Sequence, residues 1–353
     1  MNYNVIIPTG YMGSGSSAIT DLLSEVDGYS CLNGNYEYVF MHCPNGLFDL
    51  EDKLLKGNNV VRSDEALHSF YNCMKNLYAN KHYWVADYKT KIGSDFIDWI
   101  NTLINSLIND RITDSYWYYQ ENPNLEIYLK KLISKLLSIV TNKKIKLKPG
   151  LTYNEMWVSY PSNEDFYASA KIFLDKFFCK MGIKRNHIIL DQFLLPHNIY
   201  RAPNYFNENY KIIVVERDPR DVFILNKYYW RDSNCPVPYS FDVKKFCENY
   251  KKMRDMEIID TNSNVKRIHF EDLVYNYDNE VENIFRFLGI SKEKHLKPFT
   301  KLNPKKSILN TQLFEQNINY KEESEYIKKE LSEYIYDFPY PVNERLSKKD
   351  LIL

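Results

Sequence analysis

The sequence predicts an α/β fold: an open parallel β-sheet flanked by helices. Three observations predict it. Three short β-branched runs, Val5-Ile6-Ile7, Ile188-Ile189-Leu190 and Ile212-Ile213-Val214-Val215, are continuous rather than alternating, as in strands buried on both faces. Each run is followed by turn or polar residues and then by a helical pattern, the alternation of a sheet covered by helices. The first run leads directly into a Gly/Ser-rich turn, Pro8-Thr9-Gly10-Tyr11-Met12-Gly13-Ser14-Gly15-Ser16-Ser17, which opens the first helix.

Taken along the chain, Ser16 to Glu25 reads as a helix with Ile19, Leu22 and Leu23 on one face. A second strand is expected near residues 30–33, and Tyr83-Trp84-Val85-Ala86 is a further strand candidate. Residues 92–160 are rich in Leu, Ile, Tyr and Trp without strand signals, and are expected to form a mostly helical insertion beside the acceptor site. Residues 164–182 and 241–260 read as helices, and Val265-Lys266-Arg267-Ile268 as a strand. Val281, Ile284, Phe285 and Leu288 then follow helical spacing, with Gly289 as a C-cap. No repeat or low-complexity linker interrupts the chain, so a single domain over residues 1–353 is expected.

Bulk composition narrows the function. The 46 basic and 46 acidic residues balance, which argues against a general nucleic-acid or membrane-surface binder and confines any basic patch to one locality. No apolar stretch approaches the roughly 20 residues that span a bilayer, and no secretory leader is read at the start. The six cysteines form no CxxC pair, and His42-Cys43 has no matching second pair, so neither a zinc site nor a disulfide framework is indicated. The expected setting is the cytoplasm, with reduced thiols.

The 8–17 turn has the context of a phosphate site. Glycines let backbone N–H groups converge on an anion, and a helix N-terminus adds donors and partial positive charge. Gly10, Gly15 and Ser17 sit in the register of a P-loop, making the expected fold P-loop-like, but Ser16 stands where such loops carry lysine. A kinase or nucleotide hydrolase depends on that lysine. A second segment, Arg217-Asp218-Pro219-Arg220-Asp221, follows the Ile212–Val215 run. Asp218 suits an N-cap and Pro219 the first helical position. Arginine at the carboxyl end of a central strand suits bidentate contact with phosphate.

Together these segments resemble the family of sulfotransferases that use PAPS (3′-phosphoadenosine 5′-phosphosulfate), in a divergent bacterial-type branch. Gly13-Ser14-Gly15-Ser16-Ser17 corresponds to the family's phosphosulfate loop, and Arg217-Asp218-Pro219-Arg220-Asp221 to its 3′-phosphate motif. His269-Phe270-Glu271-Asp272-Leu273, then Phe287-Leu288-Gly289, and finally Asn303-Pro304-Lys305-Lys306-Ser307 follow in the family's order. The resemblance spans residues 5 to about 310 and implies sulfuryl transfer from PAPS to a hydroxyl, leaving PAP, without a metal. It implies donor contacts from Gly13, Ser14, Gly15, Ser16, Ser17, Arg217, Lys305, Lys306 and Ser307.

Two positions depart from the family. Gly13 replaces a basic residue, leaving Lys89, Lys91, Arg62 and Lys305 as alternative cations. Leu225 stands where a phosphate-binding serine is common, with Asn226 beside it as a substitute donor. These departures point to a glycan as the acceptor class. For the base, Glu37 is the first choice by resemblance, then His42, then Asp64 or Glu65. Asp191-Gln192, at the end of its strand, is a candidate for acceptor contact, and Tyr116, Trp117, Tyr118, Tyr119 and Trp157 for sugar stacking. The remaining alternatives are a kinase with a degenerate loop, in which Asp191 would hold magnesium, and a non-catalytic scaffold that keeps the nucleotide fold. Oligomeric state is left open.

Overall fold

A computed structural model describes residues 4–29, 31, 36–82, 84–113, 125–141, 153, 155–182, 187–207, 209–231, 237–259 and 262–341. Its centre is a four-stranded parallel sheet in the order β4-β1-β5-β6, formed by β1 (Asn4–Gly10), β4 (His187–Ile189), β5 (Tyr210–Glu216) and β6 (Val265–His269). β1 lies between β4 and β5, with Val5 opposite Ile188 and Gly10 opposite Val215. The apolar runs are continuous because successive residues face opposite sides and both sides are covered. Ile7, Ile212 and Val214 join one apolar cluster, and Ile6, Ile213 and Val215 the other.

Between β1 and β4 run α1 (Ser17–Ser24), α2 (Leu47–Leu55), α3 (Val60–Ala79), α4 (Tyr88–Lys91), α5 (Phe96–Leu107), α6 (Leu125–Val140) and α7 (Asn163–Met181). Then come α8 (Ala202–Tyr205), α9 (Pro219–Ile224), α10 (Val243–Asp255), α11 (Asp272–Tyr275), α12 (Tyr277–Leu288), α13 (Pro304–Ser307) and α14 (Lys321–Glu330). α7 places Phe173 and Phe177 on the first side of the sheet. α1 and α12 cover the other with Ile19, Leu22, Leu23, Ile284 and Phe285. Gly289 ends α12 in the left-handed region at φ 67°.

Two expectations need correction. Trp84, Val85 and Ala86 form a turn rather than a strand: the Ala86 carbonyl accepts from Tyr36 Oη, and Asp87 at φ 64° turns the chain into α4. Tyr83 lies outside the described residues. The 92–160 segment contains α5 and α6, but also an antiparallel pair, β2 (Asp110–Thr113) with β3 (Glu155–Val158), so its reading as free of strands is revised. That pairing joins residues more than forty positions apart, beyond the reach of local periodicity. It is anchored on α3, where buried Asp64 accepts the Trp157 N–H at 2.7 Å. The strand expected near 30–33 falls largely outside the described residues; Cys31 is in no strand.

Candidate active site

The β1–α1 turn lies at the carboxyl end of the two central strands. Gly13 and Gly15 both adopt φ +82°, a left-handed conformation that favours glycine. The loop N–H of Ser14 returns to Tyr11 O, while Ala18 N and Ile19 N close the first helical turn on Gly15 O and Ser16 O. The amides of Gly15, Ser16 and Ser17 have no acceptor among the described residues. Three consecutive unbonded amides at the start of an eight-residue helix are the donor set of a candidate anion cradle.

Arg217 leaves the end of β5 into this cradle. Its Nη1 donates to Gly13 O at 3.1 Å, Nη2 donates to Asn310 O, and its plane lies 5.0 Å from the Phe270 ring centre. Nε has no partner among the described residues, although the side chain is buried. Burial pulls the Arg217 pKa below the usual arginine value, opposed by Asp221, Glu271 and Asp218.

The rest of the strand-end motif is architectural. Asp218 accepts from Arg220 N at 2.9 Å, capping α9. Arg220 pairs back with Asp218 at 2.7 Å and lies 3.9 Å over Phe314. Glu271 fixes the Asp218 amide at 2.8 Å. Asp221 receives Gln312 N at 2.8 Å and Leu313 N at 2.7 Å. At the other end of this C-terminal stretch, Glu25 accepts Lys301 N at 2.6 Å, Leu302 N at 2.9 Å and His295 Nε2 at 2.8 Å. Lys305, Lys306 and Ser307 therefore lie on a turn held at both ends; the two lysines are exposed. The loop, the strand-end motif and the 269–273 motif meet here: Phe270 packs where a side chain on Gly15 would sit, and Glu271 holds the Asp218 amide.

At Gly13, an added Cβ would lie 3.0 Å from the Trp230 ring. The ring and the positive φ both disfavour a side chain at this position. Among the substitute cations, Arg62 donates to Lys53 O at 3.1 Å, and Lys91 lies 5.0 Å over the Tyr36 ring. Lys89 is exposed on α4. Asn226 is fully buried in a π-helical turn (Leu225–Trp230), and its Nδ2 donates to Tyr239 O at 3.2 Å, which commits an amide hydrogen away from any ligand. Ser14 is buried with no partner for its hydroxyl among the described residues.

A hydrogen-bond network beside the loop centres on Gln192, one of the two residues expected from the sequence to contact an acceptor. Held at φ 53°, it donates from Nε2 to Ser16 Oγ at 2.8 Å. Its Oε1 accepts from Thr9 Oγ1 at 3.1 Å, and its carbonyl accepts from His42 Nε2 at 2.9 Å. The hydroxyl at the degenerate lysine position is thus part of a network built around Gln192. His42 spends its Nε2 proton on that carbonyl, and burial lowers its pKa. The same contact ties the segment containing Glu37 to the end of β4.

Glu37 is half-buried between Tyr36 and Tyr38, both core residues. Its pKa is pushed up to about 7, first by burial and then by Asp191. Asp191 is buried and is also pushed up to about 7, chiefly by burial, with Asp21 adding and the hydroxyls of Thr20 and Ser16 opposing. The other base candidates are structural: Asp64 pairs with His68 at 3.3 Å, and Glu65 with Lys53 at 3.0 Å. Trp157 stacks on His68 at 3.8 Å under Arg111. Tyr116, Trp117, Tyr118 and Tyr119 lie outside the described residues.

The described residues hold no group of His, Cys, Asp and Glu side chains arranged for a metal ion. No described helix is long and apolar enough to cross a membrane. Cys43 and Cys73 approach to 3.6 Å between sulfurs.

The sulfotransferase domain model matches residues 6–348. No curated protein matches the sequence. Among solved structures, the sulfotransferase domain from the Synechococcus PCC 7002 olefin synthase is 12% identical, with 96% of this chain and 95% of that one covered, at a TM-score of 0.39. The sulfotransferase domain from the curacin biosynthetic pathway is 13% identical, with 96% and 99% covered, at a TM-score of 0.38.

Proposed function

The chain belongs to the sulfotransferase family, and from that premise we propose that it transfers a sulfuryl group from PAPS to a hydroxyl of a glycan acceptor, with Glu37 as the base. The observation that carries this reading is the cradle of free amides at Gly15, Ser16 and Ser17, with Arg217 buried against it. A cradle of this kind fits the 5′ anionic end of the donor, and a strand-end arginine fits its 3′-phosphate.

PAPS would supply the activated sulfuryl group. The protein supplies positioning and charge stabilisation, which dominate such transfers. The loop amides and the helix start hold negative charge without a loop lysine. Lys305, Lys306 and Ser307 bring cations and a hydroxyl on a turn anchored to the same motifs. Glu37, with a pKa of about 7, is partly ionised at neutral pH and is suited to accept the acceptor's proton. Asp191 supports that role by keeping the Glu37 carboxylate basic.

Thermal unfolding with PAP and with its 3′-dephosphorylated analogue tests the donor assignment. PAP at about 100 times its dissociation constant adds about 2.7 kcal/mol, and the analogue is expected to add much less. The Arg217→Lys variant keeps the charge but loses the forked geometry, and should lose most of the PAP shift. Equal stabilisation by PAP and the analogue, or by ATP with magnesium alone, would overturn the assignment.

A further inference from the structure

α6 is amphipathic in the wrong sense for a helix that packs on a core. Leu129, Leu132, Ile133, Leu136, Ile139 and Val140 fall on one stripe at helical spacing. That stripe faces solvent, with exposures from 47% at Ile133 to 82% at Val140. The positions partly shielded from solvent are Ser134, Leu137, Ser138 and Thr141, mostly the polar side. An exposed apolar stripe of this length marks a contact surface.

Charge identifies what it contacts. Lys130 borders the stripe on one edge, and Lys131 and Lys135 on the other; all three are exposed. Over residues 114–148 the sequence has seven lysines against three acids, Asp114, Glu121 and Glu126, in a chain whose net charge is zero. The balanced total hides a strongly cationic locality. Pairing this helix with a second copy of itself would set lysine edges against lysine edges, with only Glu126 on the helix to answer them. An anionic lipid surface satisfies both features. Apolar side chains enter the headgroup–acyl boundary, about 5–10 Å deep, while lysine stems reach back to lipid phosphates.

We propose that α6 docks this protein on an anionic bilayer surface, lying in the interface without spanning it. The helix has 16 residues, short of the roughly 20 that a span requires.

Flotation of the full chain with phosphatidylcholine vesicles, with and without one third phosphatidylglycerol, tests this. Binding should be at least tenfold stronger to the anionic vesicles and weaken in high salt. The Leu132→Glu/Leu136→Glu double variant should lose binding at least tenfold while its unfolding midpoint stays unchanged, because both residues are already exposed. Exchange of Lys130, Lys131 and Lys135 for Gln should weaken binding by about fivefold per lysine. The proposal is overturned if the wild type does not float with anionic vesicles, or if the double variant floats equally well. It is also overturned if light scattering shows a wild-type dimer that the double variant dissolves, which would make the stripe a self-interface.

Discussion

Arg217 Nη1 lies 3.1 Å from the carbonyl of Gly13, so the residue assigned to one end of the donor is bonded to the loop assigned to the other. Its second nitrogen reaches Asn310 O, and the C-terminal stretch is bonded into the same arrangement. The proposed donor site is one hydrogen-bonded unit, and a change at any of its three segments is expected to be felt by the others.

Gly13→Lys, which restores the family's basic residue, should not improve the enzyme. The side chain would meet Trp230 at 3.0 Å from a backbone at φ +82°, a strain of about 1–3 kcal/mol. Expected are a lower unfolding midpoint and a smaller PAP shift. Higher turnover in this variant would show that the loop relaxes to admit a cation.

Sulfuryl transfer should rise with pH through about 7. In the proposed mechanism Glu37 acts as the carboxylate, and its pKa is pushed up to about 7, first by burial and then by Asp191. Protonation below that pH removes the base, so the rate should fall about tenfold per pH unit on the acid side. Because Asp191 adds to the shift, Asp191→Asn should move the limb toward lower pH without abolishing it. Glu37→Gln should abolish the limb along with most of the turnover. A limb that persists in Glu37→Gln would assign the base elsewhere.

Gln192→Leu should lower turnover more than stability. It removes the bond to Ser16 Oγ at 2.8 Å and leaves Thr9 Oγ1 with only its contact to Leu194 O. The His42 contact persists, since it uses the Gln192 carbonyl. A stability cost of about 1–2 kcal/mol is expected, with a tenfold or greater fall in kcat from a misplaced Ser16. An unchanged kcat would make Gln192 a purely structural residue.

Stability should decline as pH rises from about 4.5 to 8. Glu271 is buried and its pKa is pushed up to about 8, mainly by burial and then by Asp218. A folded-state carboxyl raised above its unfolded value binds more protons than the unfolded chain across that window. Its stabilising contribution is therefore full below the window and lost as pH climbs through it. Glu271→Gln keeps an oxygen acceptor for Asp218 N and removes the titration. Midpoints measured from pH 5 to 8 should vary less in the variant; an equally steep profile would assign the dependence to other groups.

Much of the fold was legible locally. β1, β4 and β5 each grew from an apolar run, because strands covered on both faces need apolar residues at every position, whereas β6, at the edge of the sheet, carries Lys266 and Arg267. Gly289 was readable as a helix end because a left-handed residue favours glycine. The turn at Trp84–Ala86 was misread because a short apolar run looks the same whether or not another strand pairs with it. The β2–β3 pair was missed because its partners are far apart in sequence.

The sequence by itself determined the chemistry available at the proposed donor end: a lysine-free Gly/Ser loop, a strand-end arginine and a basic turn, in an order that resembles a known family. Only the tertiary structure decided how those residues divide the work. Burial and neighbouring charge assigned Asp218, Arg220, Asp221 and Glu271 to holding the cradle together and placed Trp230 against Gly13. They made Gln192 the link between Ser16 and His42, and pushed the Glu37 pKa up. Residue type and spacing are local properties. Desolvation, hydrogen-bond satisfaction and the field of a second carboxylate exist only once distant segments share the same space.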